Sequence, residues 1–266
     1  MIPKIIHLCW LSGDAFPSDI ADCLKSWKYN LNDYEVWLWG KKPQDCLGLK
    51  FVEKHFDIDS VVWCKQAFEA KKYAFAADYI RLYALYNFGG IYLDSDVVVY
   101  KSFNELLHLP YFIGEDRNHC FEPAIVGCEQ GTVWVGKVFE YYEGRAFIKP
   151  DSSYDMYGLP RVYADQLLNN FQFKKLNIIP AKYEEKESVI YIFSYRYFNS
   201  RDYIGAVKTK DSFCSHNFIG SWLKSSIEHK KRFKRLIPRP LLNVVYAMVF
   251  RFYYNKRLQQ YMIRYS

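Results

Sequence analysis

Apolar and polar positions along the first forty residues change period twice. Residues 2–9 alternate in a β-rich run and read as a buried strand. Residues 12–17 are rich in turn formers, and residues 18–29 carry the spacing of an amphipathic helix. Residues 34–39 form a second strand, closed by Gly40 and Pro43. Strand, helix and strand at this spacing open a parallel α/β sheet. A helical stretch follows over residues 61–87, almost wholly apolar in its second half, and ends at Gly89-Gly90.

Beyond the two glycines the pattern becomes that of short strands. Residues 91–93 and 97–100 flank Asp94-Ser-Asp96, and residues 111–114 and 124–128 read as further strands. Helices are expected at 132–143 and 162–170, with a weaker strand at 189–193. Residues 214–223 are expected to fold back onto the sheet, and residues 241–263 carry a helical pattern after Pro238 and Pro240. The chain shows neither an internal repeat nor a low-complexity linker. The reading is one α/β domain over residues 1–223 and a C-terminal helical segment over residues 224–266.

Composition narrows the class. The 266 residues are 50% hydrophobic, 19% aromatic and 24% charged, which excludes a disordered chain, a collagen and a coiled coil. The formal charge of +7 is unevenly spread: residues 224–266 hold 11 Lys/Arg and one acid, Glu228, whereas the preceding residues hold 25 basic and 28 acidic side chains. A mildly acidic body with a basic, aromatic end does not match a nucleic-acid binder, whose charge stripes the fold. No nucleic-acid partner is expected. Seven cysteines without a C-x-x-C pair point to reduced thiols. The N-terminus has no apolar leader, and the longest apolar run, residues 241–250 broken by Asn243, is shorter than the roughly 20 residues of a membrane span. The expected location is cytoplasmic.

The chemistry concentrates around Asp94 and Asp96. They follow an apolar strand, at the sheet edge where α/β proteins bind ligands. Residues two apart on extended chain point the same way, so both carboxylates can face one hard cation such as Mg²⁺ or Mn²⁺, shared with substrate phosphates. On the preceding helix Asp78 and Arg81 are three apart and share a face. That helix is otherwise apolar, and a buried charged pair needs further partners. His7 and Trp10 lie where the first strand ends, and His216, Ser221 and Trp222 share one late segment.

Taken in order, Ile2-Pro-Lys-Ile-Ile-His7-x-x-Trp10, Asp78-x-x-Arg81, Gly89-Gly90-Ile-Tyr-Leu-Asp94-x-Asp96 and His216-x-x-x-Gly-Ser221-Trp222 resemble glycosyltransferase family 32. This family of DXD-containing transferases includes bacterial capsular and lipopolysaccharide enzymes and fungal mannosyltransferases. The Asp-x-x-Arg and Asp-x-Asp parts are also similar to the glucosylating domains of clostridial toxins. The resemblance implies a GT-A-type, Rossmann-like α/β fold with a mostly parallel sheet, a nucleotide-sugar donor and retention of anomeric configuration. It assigns Asp96 to a divalent metal, Mn²⁺ or Mg²⁺, and Asp94 to the ribose or sugar with reach to the metal. Asp78 and Arg81 would bind donor-sugar hydroxyls, and His7 and Trp10 would line the nucleotide pocket. Ser221 and Trp222 would close over the diphosphate, with His216 a further candidate ligand. The chain departs from many relatives at His216-Asn217, where they carry two adjacent histidines.

The resemblance also implies a glycan or lipid-linked acceptor in surface polysaccharide synthesis. UDP-galactose or UDP-glucose types are the first expectation for the donor, and GDP-mannose the second. The basic, aromatic end suits an anionic membrane surface, giving a peripheral location on the inner face of the cell membrane. The alternative is an inactive nucleotide-sugar or carbohydrate-binding protein on the same fold.

Overall fold

The computed structural model describes residues 1–184, 188–200, 207–219 and 258–266. The chain enters through β1 (Ile5–Trp10), α1 (Ser18–Asn30) and β2 (Glu35–Gly40), as its alternation predicts. Helix α1 buries Ile20, Cys23, Leu24 and Trp27, a stripe at three- and four-residue spacing. Strand β3 (Phe51–Lys54) follows. It is a polar edge strand without the alternation that would have marked it.

The expected helix over residues 61–87 is two helices, α2 (Val62–Glu69) and α3 (Tyr73–Phe88). Lys71 turns left-handed between them, at φ 56°. The break lets α2 fold against α3, with Trp63 Nε1 donating to the Phe75 carbonyl at 2.9 Å. Helix α3 is buried over most of its length, including at Asp78 and Arg81, and Tyr86 and Phe88 are exposed near its end.

Helix α3 stops at Gly89 and Gly90, both at positive φ, and feeds β4 (Gly90–Leu93). A Cβ on Gly90 would lie 2.8 Å from the Ile5 carbonyl oxygen, so only glycine brings β4 this close to β1. After Asp94-Ser95-Asp96 the chain forms β5 (Val97–Val99), then β6 (Tyr111–Glu115), β7 (Phe121–Cys128) and α4 (Val133–Phe139). The sequence then gives α5 (Leu159–Leu167), β8 (Gln172–Leu176), β9 (Val189–Phe193), α6 (Tyr195–Phe198) and β10 (Cys214–His216).

Eight strands make one sheet in the order β3-β2-β1-β4-β7-β6-β9-β8. Pairings are parallel except where β7 meets β4 and β6. This is the α/β, mostly parallel architecture expected from the sequence. An apolar core lies on each face. One is built on α2, α3, α4 and α5, the other on α1 and the segments around β5 and β10. From β1 the chain moves outward to β2 and β3, then returns to place β4 on the other side of β1. The carboxyl ends of β1 and β4 thus flank a topological switch point, the usual ligand crevice of such sheets.

Two further expectations are corrected. Residues 214–216 do not add to the main sheet; β10 pairs antiparallel with β5 in a separate two-stranded ribbon. Strand β5 leaves the main sheet at the Asp94–Asp96 turn, so its partner leaves with it. The helical pattern expected to reach residue 263 is replaced at its end by a 3₁₀ turn, Gln259–Tyr261, and extended chain. Ile263 is buried in the core there and donates its N–H to the His119 carbonyl, while Ser266 donates to the Phe173 carbonyl. The rest of the basic segment expected to meet a membrane lies outside the described residues. No helix among the described residues is long and apolar enough to cross a membrane.

Candidate metal and donor-sugar site

The turn after β4 carries both aspartates. Asp94 donates its backbone N–H to the Ala124 carbonyl at 2.9 Å, and Val97 N–H returns to the Asp94 carbonyl at 3.0 Å, closing the turn. The Asp94 Oδ1 accepts from the Tyr92 hydroxyl at 2.8 Å and from Arg81 at 3.0 Å. Arg81 also reaches Asp78 Oδ1 at 3.0 Å and the Pro123 carbonyl at 3.0 Å, and it lies over the Tyr92 ring. The guanidinium is therefore a fixed bracket between α3, β4 and β7.

Asp96 is held from the other side. Its Oδ1 lies 3.2 Å from His216 Nε2, and its Oδ2 accepts the Ile219 backbone N–H at 2.9 Å. The opposite nitrogen, His216 Nδ1, donates to Glu122 Oε1 at 3.1 Å. Register explains the meeting: His216 pairs with Val97, the residue after Asp96. One ligand atom each from Asp94, Asp96 and His216 lies within 4.8 Å of the others.

Burial and charge tune each group. Burial pushes the Asp78 carboxyl up to about 7, with Arg81 opposing and Asp94 reinforcing the rise. Asp94 is raised by burial against the pull of Arg81 and His216. Burial also acts to raise Asp96, but the hydrogen bond and charge of His216 and the Ile219 N–H outweigh it and hold this carboxyl low. Burial acts to lower His216, yet Glu122 and Asp96 overcome it and bring the imidazole up to about 10. Four carboxyl groups thus surround one guanidinium and one imidazole. The oxygen and imidazole donors of Asp94, Asp96 and His216 fit a divalent cation.

Of the residues singled out in the sequence, Asp78, Arg81, Asp94, Asp96 and His216 converge in one connected cluster. Trp10 lies at the end of β1, its indole donating to the Asp14 carbonyl at 2.8 Å and packing on Phe16. His7 is elsewhere: it is fully buried, with Nε2 on the Gly89 carbonyl at 2.7 Å and Nδ1 accepting from Trp39 at 3.1 Å. It braces the glycine turn that leads into β4. Ser221 and Trp222 lie outside the described residues.

Glu122, Asn199 and Tyr92 complete the cluster without having been anticipated. Strand β7 bulges opposite Ile113 and Gly114, so that successive residues reach different parts of the site. Glu122 turns to His216, Pro123 offers its carbonyl to Arg81, and Ala124 holds the Asp94 turn. A proline inside a β-rich run was the available sign of that bulge. Beyond the carboxyl ends of β1, β2 and β3 lies a cavity of about 180 Å³, lined among others by Leu11, Trp39, Lys54, Phe56 and Ile80.

Residues 17–113 match the family described as the glycosyltransferase sugar-binding region containing DXD motif. Over that stretch, about a third of the chain, this protein is similar to DXD-containing glycosyltransferases. That match contains Asp78, Arg81, Asp94 and Asp96, whereas His7, Trp10, Glu122 and His216 lie outside it. Among curated proteins the chain is similar to inositol phosphoceramide mannosyltransferase 3 of Schizosaccharomyces pombe, 31% identical over 131 residues, covering 49% of this chain and 34% of the relative. It is also similar to an uncharacterized glycosyltransferase, L373, of Acanthamoeba polyphaga mimivirus, 32% identical and covering 42% of each. The matched stretches span 34% and 42% of these relatives' lengths. Among solved structures it is similar to the PaToxG glycosyltransferase, at 20% identity and a TM-score of 0.46 over 63% of this chain and 68% of the other.

Proposed function

We propose that this protein is a metal-dependent, retaining glycosyltransferase that moves a hexose from a nucleotide sugar to a glycan or lipid-linked acceptor. The observation that carries the reading is the convergence of Asp94, Asp96 and His216 at the switch point of the sheet, with Arg81 and Asp78 behind them. Asp96 and Asp94 would hold Mn²⁺ or Mg²⁺, with His216 as third ligand. The cation, when bound, offsets the charge that develops on the departing nucleoside diphosphate.

The protein's own groups do the positioning. Arg81 and Tyr92 fix the Asp94 Oδ1 and so set the direction of its other oxygen. Asp78, with one oxygen held by Arg81, would use the other to bind a donor-sugar hydroxyl. With Asp78 and Asp94 both engaged by Arg81, front-face attack fits the site better than a covalent glycosyl-enzyme. The cavity beside Leu11 and Trp39 offers an apolar floor and a lysine for the nucleoside. Ser221 and Trp222 retain, from the family resemblance, the role of donors to the leaving diphosphate.

For the donor, the similarity to a mannosyltransferase of Schizosaccharomyces pombe favours a mannosyl group, which brings GDP-mannose forward beside the UDP-hexoses. That similarity also supports a lipid acceptor. The basic residues of 224–266 suit an anionic membrane surface at the inner face of the cell membrane, and the role in bacterial surface polysaccharide synthesis follows from the family resemblance. Incubating the protein with Mn²⁺ and a panel of GDP- and UDP-sugars, without acceptor, tests the reading. Slow release of nucleoside diphosphate from one donor is expected. Tight metal-dependent binding without release from any donor would instead make this a binding protein on a transferase fold.

A further inference from the structure

Glu122 is a fully enclosed carboxylate outside the matched family region, reaching the site from the bulge in β7. An ionised side chain in such a place needs partners on every oxygen. Oε1 receives His216 Nδ1–H at 3.1 Å and the Ala124 backbone N–H at 3.4 Å, and Oε2 receives the side-chain amide of Asn199, itself fully buried. The carboxylate is thus held in place by two elements before it meets the imidazole.

The imidazole has two nitrogens, and their directions are coupled. With Nδ1–H directed at Glu122, Nε2 faces Asp96, 3.2 Å from its Oδ1. Phe218 stacks on the same ring with 3.9 Å between centroids, which limits its tilt. A carboxylate behind a histidine fixes the ring's tautomer and orientation and strengthens the nitrogen on the far side as a ligand. This arrangement is built across three elements, β7, α6 with its following residue Asn199, and β10. Its outlet toward ligand is the nitrogen that faces the aspartates.

We propose that Glu122 is a positioning residue that holds His216 through Nδ1 so that Nε2 serves as the third ligand beside Asp94 and Asp96. The inference rests on the metal-site reading above and adds to it the residue that makes a lone histidine sufficient where many relatives carry two. Glu122 touches neither donor sugar nor metal; it acts through the ring.

The test uses the full-length protein and Mn²⁺, with UDP and, separately, GDP present. Calorimetry gives the affinity, and electron spin echo of bound Mn²⁺ reports a directly bound imidazole nitrogen. Wild type is expected to show nitrogen modulation. Glu122→Gln and Glu122→Ala are expected to weaken Mn²⁺ binding about 10–100-fold and to reduce the nitrogen modulation. Asp96→Asn should remove binding altogether. Wild-type binding without nitrogen modulation overturns the proposal, and so do folded Glu122 variants with unchanged affinity and unchanged modulation. In those cases Asp96-dependent binding leaves the metal-site reading standing. Absence of Mn²⁺ binding by wild type with either nucleotide overturns both.

Discussion

Arg81 and Asp94 meet at 3.0 Å, one from the middle of a buried helix and the other from the end of the neighbouring strand. This pair converts two local sequence features into one site. The same guanidinium holds Asp78 and the Pro123 carbonyl, so its removal would strand buried carboxyl groups on two elements. Breaking a buried ion pair from one side costs about 3–5 kcal/mol. Arg81→Ala should lose stability on that scale in chemical denaturation. A loss below about 1 kcal/mol would show that the cluster relaxes without its bracket.

Gly90 tests how closely β4 must approach β1. Its φ of 98° lies where side chains are disfavoured, and an added Cβ would meet Ile5 O at 2.8 Å and His7 Nε2 at 3.2 Å. Left-handed backbone alone costs a substituted residue roughly 1–2 kcal/mol, and the backbone contact adds to it. Gly90→Ala should therefore lower stability by at least about 2 kcal/mol and move the Asp94–Asp96 turn. An unchanged thermal midpoint would contradict the packing described.

His7 gives a pH dependence with a definite sign. Burial, opposed by its bond to the Gly89 carbonyl and aided by Lys54, lowers it from 6.5 to about 4. The unfolded chain therefore binds the proton more readily, so the contribution is complete above pH 6.5 and is lost as pH falls toward 4. One proton changes stability by about 1.4 kcal/mol per pH unit, or about 3 kcal/mol across this window. Wild type should lose that much more than His7→Asn over the same acid titration. Parallel curves for the two proteins would remove His7 as the titrating group.

The end of the chain is tied to a second buried carboxylate. Tyr265 donates to Glu115 Oε2 at 2.6 Å, and His119 and Lys175 share the same carboxylate. Hydrogen bonds to ionised groups contribute about 1.5–3 kcal/mol, and the two remaining partners place Tyr265→Phe at the low end. Hydrogen exchange at the Ile263 and Ser266 amides should accelerate in that variant. Unchanged protection there would mean that the segment is held by Ile263 burial alone.

How far the sequence reaches can be read from individual residues. Asp94 and Asp96 were legible because a glycine pair, a short apolar strand and two-residue spacing are all local. Asp78 and Arg81 were legible because charge stands out on an apolar helix. Glu122 was not, since its role depends on β7 lying beside β4 and on a bulge that aims it at His216. His7 was legible only as a residue near the end of β1, since its packing against Trp37 and Trp39 and its bond to the Gly89 carbonyl join distant parts of the chain. Strands β3 and β8 escaped for a simpler reason. Both lie at sheet edges, where solvent allows polar residues to obscure the pattern.

The central claim is that Asp94 and Asp96 hold a divalent cation that drives departure of a nucleoside diphosphate. The most direct measurement follows nucleoside diphosphate release from the preferred donor with Mn²⁺ and with excess chelator, in wild type and in folded Asp96→Asn. Release that requires Mn²⁺ and disappears in Asp96→Asn is predicted. Release at the wild-type rate in chelator, or undiminished in Asp96→Asn, would contradict it.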